Sequence, residues 1–232
     1  MREMIIDQCL GTGREYTREE LQTAEITGSV LVITKVGKMI RRTDPMIFTI
    51  SGGIVNATCS RNSCGIGAGF ARCMNMTITI SGGTVTATGY QQGPGIGAGS
   101  SGSCGDIFIS GGTVTATASM SNNIPSAAAG IGTGHASSSC GNITITTDVT
   151  KVTATKGANA AYCIGLGLVG NNSDNFCGTI TFDTQSFTPT KQLGDEDHDN
   201  SWTYSPEPVS GTNYGGLTLV ISGNTWTLTP AN

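Results

Sequence analysis

Residues Ile80–Thr117 read ISGGTVTATGYQQGPGIGAGSSGSCGDIFISGGTVTAT, with the phrase ISGGTVTAT at both ends and glycines and one cysteine between. ISGG begins at Ile50, Ile80 and Ile109. GIGAG begins at Gly65 and Gly95, with GIGTG at Gly130 and a degenerate CIGLG at Cys163. A cysteine follows each: Cys73, Cys104, Cys140 and Cys177. Units set by these anchors recur roughly every 29 to 37 residues, a period that signals solenoids, propellers or arrays.

Within a unit, Thr77–Ile80 (TITI) and Thr84–Thr88 (TVTAT) alternate polar and apolar residues before the glycine motif. Period two sends Ile, Val and Ala to one face and Thr to the other. Nothing between the repeats has helical periodicity, which excludes helix-containing repeats. A propeller blade needs about 40–45 residues and four strands, more than this period supplies. Three short strands joined by glycine corners describe one coil of a parallel β-helix, and about four coils are expected. The right-handed rule for parallel crossovers sets the expected winding. In stacked coils each residue lies about 4.8 Å above its counterpart. Like charges would repel there and large rings would crowd, whereas small neutral residues stack without penalty and glycine supplies positive-φ corners.

The composition agrees. The 232 residues include 34 Gly, with 12% charged and 6% aromatic residues, 37% hydrophobic residues and a net charge of −4. That is too apolar and too weakly charged for disorder, and it carries no basic footprint for nucleic acid. No run of about 18 apolar residues is present, so no membrane-spanning helix is expected. The opening MREMIIDQCLGTGRE lacks the apolar segment and cleavage site of a signal peptide, so either the protein is not exported by that route or the chain is a mature or truncated fragment.

Charge divides the chain. Of 28 charged residues, fourteen lie in 1–44 and only Arg61, Arg72 and Asp106 lie in 45–147. Residues 1–45 are read as a polar N-terminal cap, as solenoid ends require. In it Thr17-Arg18-Glu19-Glu20 forms a capping box opening a short helix through Ala24, and Ser29–Val36 is a strand. Residues 46–184 are the β-helix repeats. Residues 185–232 abandon the pattern and are read as an irregular C-terminal cap, in which GLTLVISGNTWTLTPAN forms a hairpin turning at Gly223-Asn224.

The segments SSCGNITITTDVTKVTATKGANAAYCIGLG (from Ser138) and CGTITF (from Cys177), with the internal copies above, closely resemble Gly/Thr-rich surface repeat proteins of anaerobic gut bacteria. Units of that family read CGNITISGGTVTATGG…AGIGSG, and its last units take a T-x-V-T-A-T-K-G form. The resemblance covers about residues 47–183. It is similar also to carbohydrate-binding β-helix domains of bacterial surface proteins, some of which bind calcium and plant polysaccharide. It implies a bacterial cell-surface or secreted, adhesin-like protein whose partner is a polysaccharide or a host or cell-surface glycan.

The chemistry-bearing residues are few. Cys73, Cys104, Cys140 and Cys177 should stack as a ladder of small apolar thiols, and Cys64 and Cys163 share a second position before the Ile-Gly. Eight cysteines also permit disulfides in 105 connectivities. With no C-x-x-C pair and only His135 and His198, a structural zinc site is not expected. The run Asp195-Glu196-Asp197-His198-Asp199-Asn200 offers oxygen ligands suited to calcium, with Asp195, Asp197 and Asp199 as the candidates; without EF-hand spacing it also reads as a solvated acidic loop. No other cofactor is expected.

Glycoside hydrolysis needs a pair of carboxylates; the repeat core offers Asp106 alone and the remaining candidates, Asp148, Asp174 and Asp183, are isolated in sequence, so catalysis is not expected, though a β-helix polysaccharide lyase stays a rival reading. Thr86/Thr88, Thr115/Thr117 and Thr153/Thr155, with Asn56/Thr58, form outward hydroxyl ranks; they resemble ice-binding surfaces, and Thr is also an ordinary strand former. For glycan, Tyr90, Gln91 and Gln92 lie together in one loop, and Tyr162 with Asn159 would project from the same edge two units later. A binding module, a ligand-free stalk, an enzyme and an ice binder all fit the same fold. Open coil ends also permit end-to-end self-association.

Overall fold

The protein is described here from a computed structural model, which describes residues 23–26, 30–33, 46–59, 62–71, 76–119, 126–168, 175–192 and 201–231. Among them every regular element longer than a turn is a strand.

The ITI phrases form one rank of parallel strands. It comprises β1 (Thr23–Ile26), β3 (Met46–Ile50), the first part of β6 (Met76–Tyr90), the first part of β8 (Ile107–Ser119), β11 (Ile143–Ile145) and β15 (Ile180–Phe182). The TVTAT phrases form a second rank: β2 (Val30–Ile33), β4 (Ile54–Thr58), the later parts of β6 and β8, and β12 (Val149–Thr155). The glycine motifs make a third, β5 (Ile66–Ala68), β7 (Ile96–Ala98), β9 (Ile131–Thr133) and β13 (Ile164–Gly165). A short fourth rank lies at the cysteines, β10 (Ser139–Cys140) on β14 (Phe176–Cys177). Each strand therefore pairs with its own counterpart one repeat later, as in Ile78↔Ile107, Ile107↔Ile143 and Ile143↔Ile180.

Two features differ from the sequence reading. The first two ranks are one continuous sheet, because β6 and β8 run through the SGG corner with a register shift there. Glycines at Gly53, Gly83 and Gly112 make that bend at φ 77°, 86° and 77°. The expected helix does not extend to Ala24: Thr23 and Ala24 open strand β1, parallel to Ile47 and Phe48, because stacking on β3 outweighs a weak local helix preference. The rest of that helix, Thr17–Gln22, lies outside the described residues. The strand expected at Ser29–Val36 is present as β2.

The interior is a stack of identical side chains. Ile80, Ile109 and Ile145 are fully buried in register, and so are Val85, Val114 and Val152, and Ala87, Ala116 and Ala154. Dense ladders of branched residues hold the coils through apolar burial. Among the described residues no further repeat coil follows the last one, and larger residues close it. Phe182 ends the Ile80 ladder, Leu228 ends the Val ladder and Trp226 ends the Ala ladder.

The closure comes from residues 185–231. Strand β16 (Gln185–Gln192) pairs antiparallel with β15, and β17 (Ser201–Ser205) with β16. Strands β18 (Asn213–Tyr214), β19 (Leu217–Ser222) and β20 (Thr225–Pro230) fold as an antiparallel meander whose β20 pairs with β12. The hairpin turns at Gly223, φ 54°. Rings of Tyr162, Phe182, Phe187, Tyr204, Tyr214 and Trp226 meet beneath it at centroid distances of 4.8–6.5 Å, a geometry worth more than the buried area alone.

Candidate functional site

Three surfaces carry the chemistry-bearing residues. The broadest is the outer face of the TVTAT rank, where alternation along each strand turns Thr outward over the buried Val and Ala. Asn56, Thr86, Thr115 and Thr153 lie side by side, and so do Thr58, Thr88, Thr117 and Thr155. Both rows continue onto the C-terminal segment, where Thr153 meets Thr227 and Thr155 meets Thr225. The Oγ atoms of Thr155 and Thr225 are 3.0 Å apart. Ile54 stands beside these rows with nearly half of its surface exposed.

The second surface is the loop edge. Gln91 adopts φ 59°, and Tyr90 is held by its N–H donating to the Ser63 carbonyl at 3.4 Å. Tyr90, Gln91 and Gln92 are half-buried. The Gln92 carbonyl accepts from His135 N–H at 3.0 Å, tying the loop to the next coil. Asn159 is exposed on the corresponding corner of the last coil, its N–H donating to Ser126 O at 3.0 Å. Tyr162 does not project with it: its ring packs edge-on against Tyr204 at 4.8 Å and Trp226 at 6.2 Å. Burial raises its hydroxyl pKa. No sequence pattern signals this, because the covering rings come from more than 40 residues downstream. Asp195, Asp197 and Asp199 lie outside the described residues. Among the described residues no group of three or more His, Cys, Asp and Glu converges to hold a metal.

The third feature is the cysteine rank. Cys104, Cys140 and Cys177 are buried, and Cys140 and Cys177 are direct register partners. Cys104 N–H donates to Ser139 O at 2.9 Å, setting it on the same rank. The Cys140 thiol faces both neighbours, which together with burial raises its pKa well above the ordinary value. None of the six described cysteines is in a disulfide. The expected ladder is thus present over three members, and Cys73 lies outside the described residues. The shared position proposed for Cys64 and Cys163 is off by one residue. Ile66, Ile96, Ile131 and Ile164 align, so Cys163 stands at the Gly65, Gly95 and Gly130 position and Cys64 one place earlier. The last coil tolerates a side chain there because no further repeat coil follows: the Cys163 thiol donates to Asn224 O at 3.1 Å.

Asp106, the lone carboxylate of residues 45–147, has a structural partner. Its Oδ1 accepts from Asn142 N–H at 2.7 Å, and Asn142 Oδ1 accepts from Thr179 N–H at 3.0 Å. The Cys-Gly-Asp and Cys-Gly-Asn corners therefore each cap the next coil with a side-chain carbonyl. Glycine precedes each capped residue for a matching reason, since a Cβ at Gly141 would stand 2.3 Å from that same Asp106 oxygen. Buried Asn175 does similar work nearby, accepting from Ser138 N–H at 2.8 Å and donating to Gly134 O at 3.0 Å.

Compared with known proteins, residues 48–70, 78–100 and 109–135 match the family described as Beta helix repeat, which supports a β-helix repeat protein. Neither the curated proteins nor the solved structures yield a match. Among the described residues no helix is long and apolar enough to cross a membrane.

Proposed function

We propose that the chain is a non-catalytic, right-handed β-helix module of a bacterial cell-surface or secreted protein, using its outer face to bind glycan in an adhesin-like role. The observation that carries this reading is the in-register continuation of the Thr rows onto β20. The C-terminal segment departs from the repeat elsewhere, yet Thr225 and Thr227 extend the same hydroxyl rows. An array of hydroxyls beside the half-exposed Ile54, with exposed Lys151 in line with Ile54 two residues from the Thr153 row, offers hydrogen bonds and apolar contact, which suits a polysaccharide. The loop edge of Tyr90, Gln91, Gln92 and Asn159 borders the same coils and supplies amide groups and a ring.

The test is a glycan-array screen of the purified chain, with and without calcium, repeated on Thr115→Arg and Tyr90→Ala. Saturable binding to one glycan class, lost in Thr115→Arg and weakened in Tyr90→Ala, is the expected result. A folded sample that binds nothing overturns it and leaves the stalk reading.

A further inference from the structure

The cysteine rank has a chemistry that the proposed binding face does not use. Cys140 and Cys177 are fully buried register partners on adjacent parallel strands. Adjacent strands lie about 4.8 Å apart. Zinc–thiolate bonds are about 2.3 Å and bonds to a two-coordinate ion somewhat shorter, so two sulfurs on a linear ion stand roughly 4.3–4.6 Å apart, close to one strand spacing. A disulfide suits the same pair less well, since it needs Cβ atoms about 3.5–4.5 Å apart and so would draw the coils together. Soft thiolate ligands suit Cu(I), zinc and iron–sulfur clusters, and zinc sites call for four ligands, more than this pair supplies. Monovalent Cu(I) is satisfied by two ligands, so the lack of a third side-chain ligand is no obstacle.

A second, independent feature points into the same place. The Tyr204 hydroxyl is buried, with the residue 3% exposed; the groups beside it are the Leu166 backbone and the Cys177 thiol, and neither meets ordinary hydrogen-bond geometry. It lies over Gly165, where a Cβ would stand 2.2 Å from it, and it faces the Cys177 thiol. An unpaired buried O–H costs stability. A thiolate beneath it would accept that proton donor. The existing thiol contacts are long, Cys140 Sγ to Gly105 O at 3.7 Å and Cys177 Sγ to Gly141 O at 3.8 Å, so giving them up costs little.

We propose that Cys140 and Cys177 form a two-coordinate site for Cu(I), with Tyr204 donating a hydrogen bond to the Cys177 thiolate. The step is ligand exchange without redox change: two S–H protons are released, two Cu–S bonds form, and copper stays cuprous. The complex carries one net negative charge, which the Tyr204 O–H stabilises. Cys104, at the far side of Cys140, is not a ligand.

The test uses the full chain, refolded anaerobically with cuprous ion so that entry into a closed core does not limit loading. Bound copper is counted after competition with a Cu(I) chelator, and the thiolate-to-copper absorption band is recorded. One ion per chain with that band is expected, held at least tenfold more weakly in Cys177→Ala and Cys140→Ala and unchanged in Cys104→Ala. Tyr204→Phe is expected to weaken binding and to shift its pH midpoint upward. Alanine keeps the small apolar character of the position, and circular dichroism establishes that each variant folds. No copper retained by the wild type overturns the proposal. So does retention at the wild-type level in both Cys140→Ala and Cys177→Ala, which would place the ion on other cysteines of the chain.

Discussion

Replacing Gly97 by Ala tests the stacking argument most directly. Gly97 sits at φ 130°, in register between Gly67 and Gly132 on the third rank. A Cβ there would stand 2.0 Å from the Gly132 carbonyl oxygen. Two costs add. The backbone conformation is one that L-residues rarely adopt, worth of order 1–3 kcal/mol. The contact is with backbone of the next coil, so relief requires two coils to part and weakens the β7–β9 pairing, a further loss of about 1–3 kcal/mol by comparison with overpacked cores. The sum of about 2–6 kcal/mol is a large share of a typical domain's 5–15 kcal/mol. Gly211→Ala is the control, because Gly211 also has positive φ, 80°, but a Cβ there meets nothing within 4 Å. It should lose only the conformational part. Urea unfolding followed by Trp fluorescence compares the two variants. If Gly97→Ala costs no more than Gly211→Ala, the coils are not packed backbone to backbone at this rank and the reasoning fails.

Other substitutions probe separate contacts. Trp226→Ala should destabilise by about 3–5 kcal/mol, since Trp226 closes the Ala ladder at its open end and packs against Tyr162 and Phe182; thermal melting reads this. Asn142→Ala should cost about 0.5–1.5 kcal/mol by removing the acceptor of the Thr179 N–H at an exposed corner, whereas Asn142→Asp, which retains the oxygen, should cost less in the same melt. Burial pushes the Cys59 thiol up to about 12 and the Cys163 thiol up to about 11. For both, the folded value exceeds the unfolded one, so their stabilisation is complete below about pH 9 and is lost as pH rises towards 11 and 12. The urea midpoint should therefore fall above pH 9, and Cys59→Ala should flatten that fall.

Much of the fold was legible because stacking makes repetition itself informative. The recurrence of ISGG, TVTAT and GIGAG implies in-register parallel ranks, and the Cys104–Cys140–Cys177 ladder follows from the same counting. Local signals failed where long-range pairing overrode them. The helix expected through Ala24 gave way to a strand on β3, and Cys163 slipped one place from Cys64 because alignment is set by the Ile66–Ile164 rank rather than by the cysteine. The candidate edge was half legible: Tyr90 and Asn159 do lie on corresponding corners, but Tyr162 is taken up by the end of the array.

The sequence by itself determined which residues stack on which, because a coil's neighbour is a copy of itself and only small, neutral or identical side chains survive that contact. Tertiary structure alone decided how the stack ends. Trp226, Leu228 and Tyr204 have no repeat counterparts to predict their partners, and their places depend on antiparallel pairing of β20 with β12 and of β16 and β17 beyond β15. The Thr rows cross that boundary for the same reason, since an antiparallel strand of alternating pattern can continue a parallel face without sharing its sequence register.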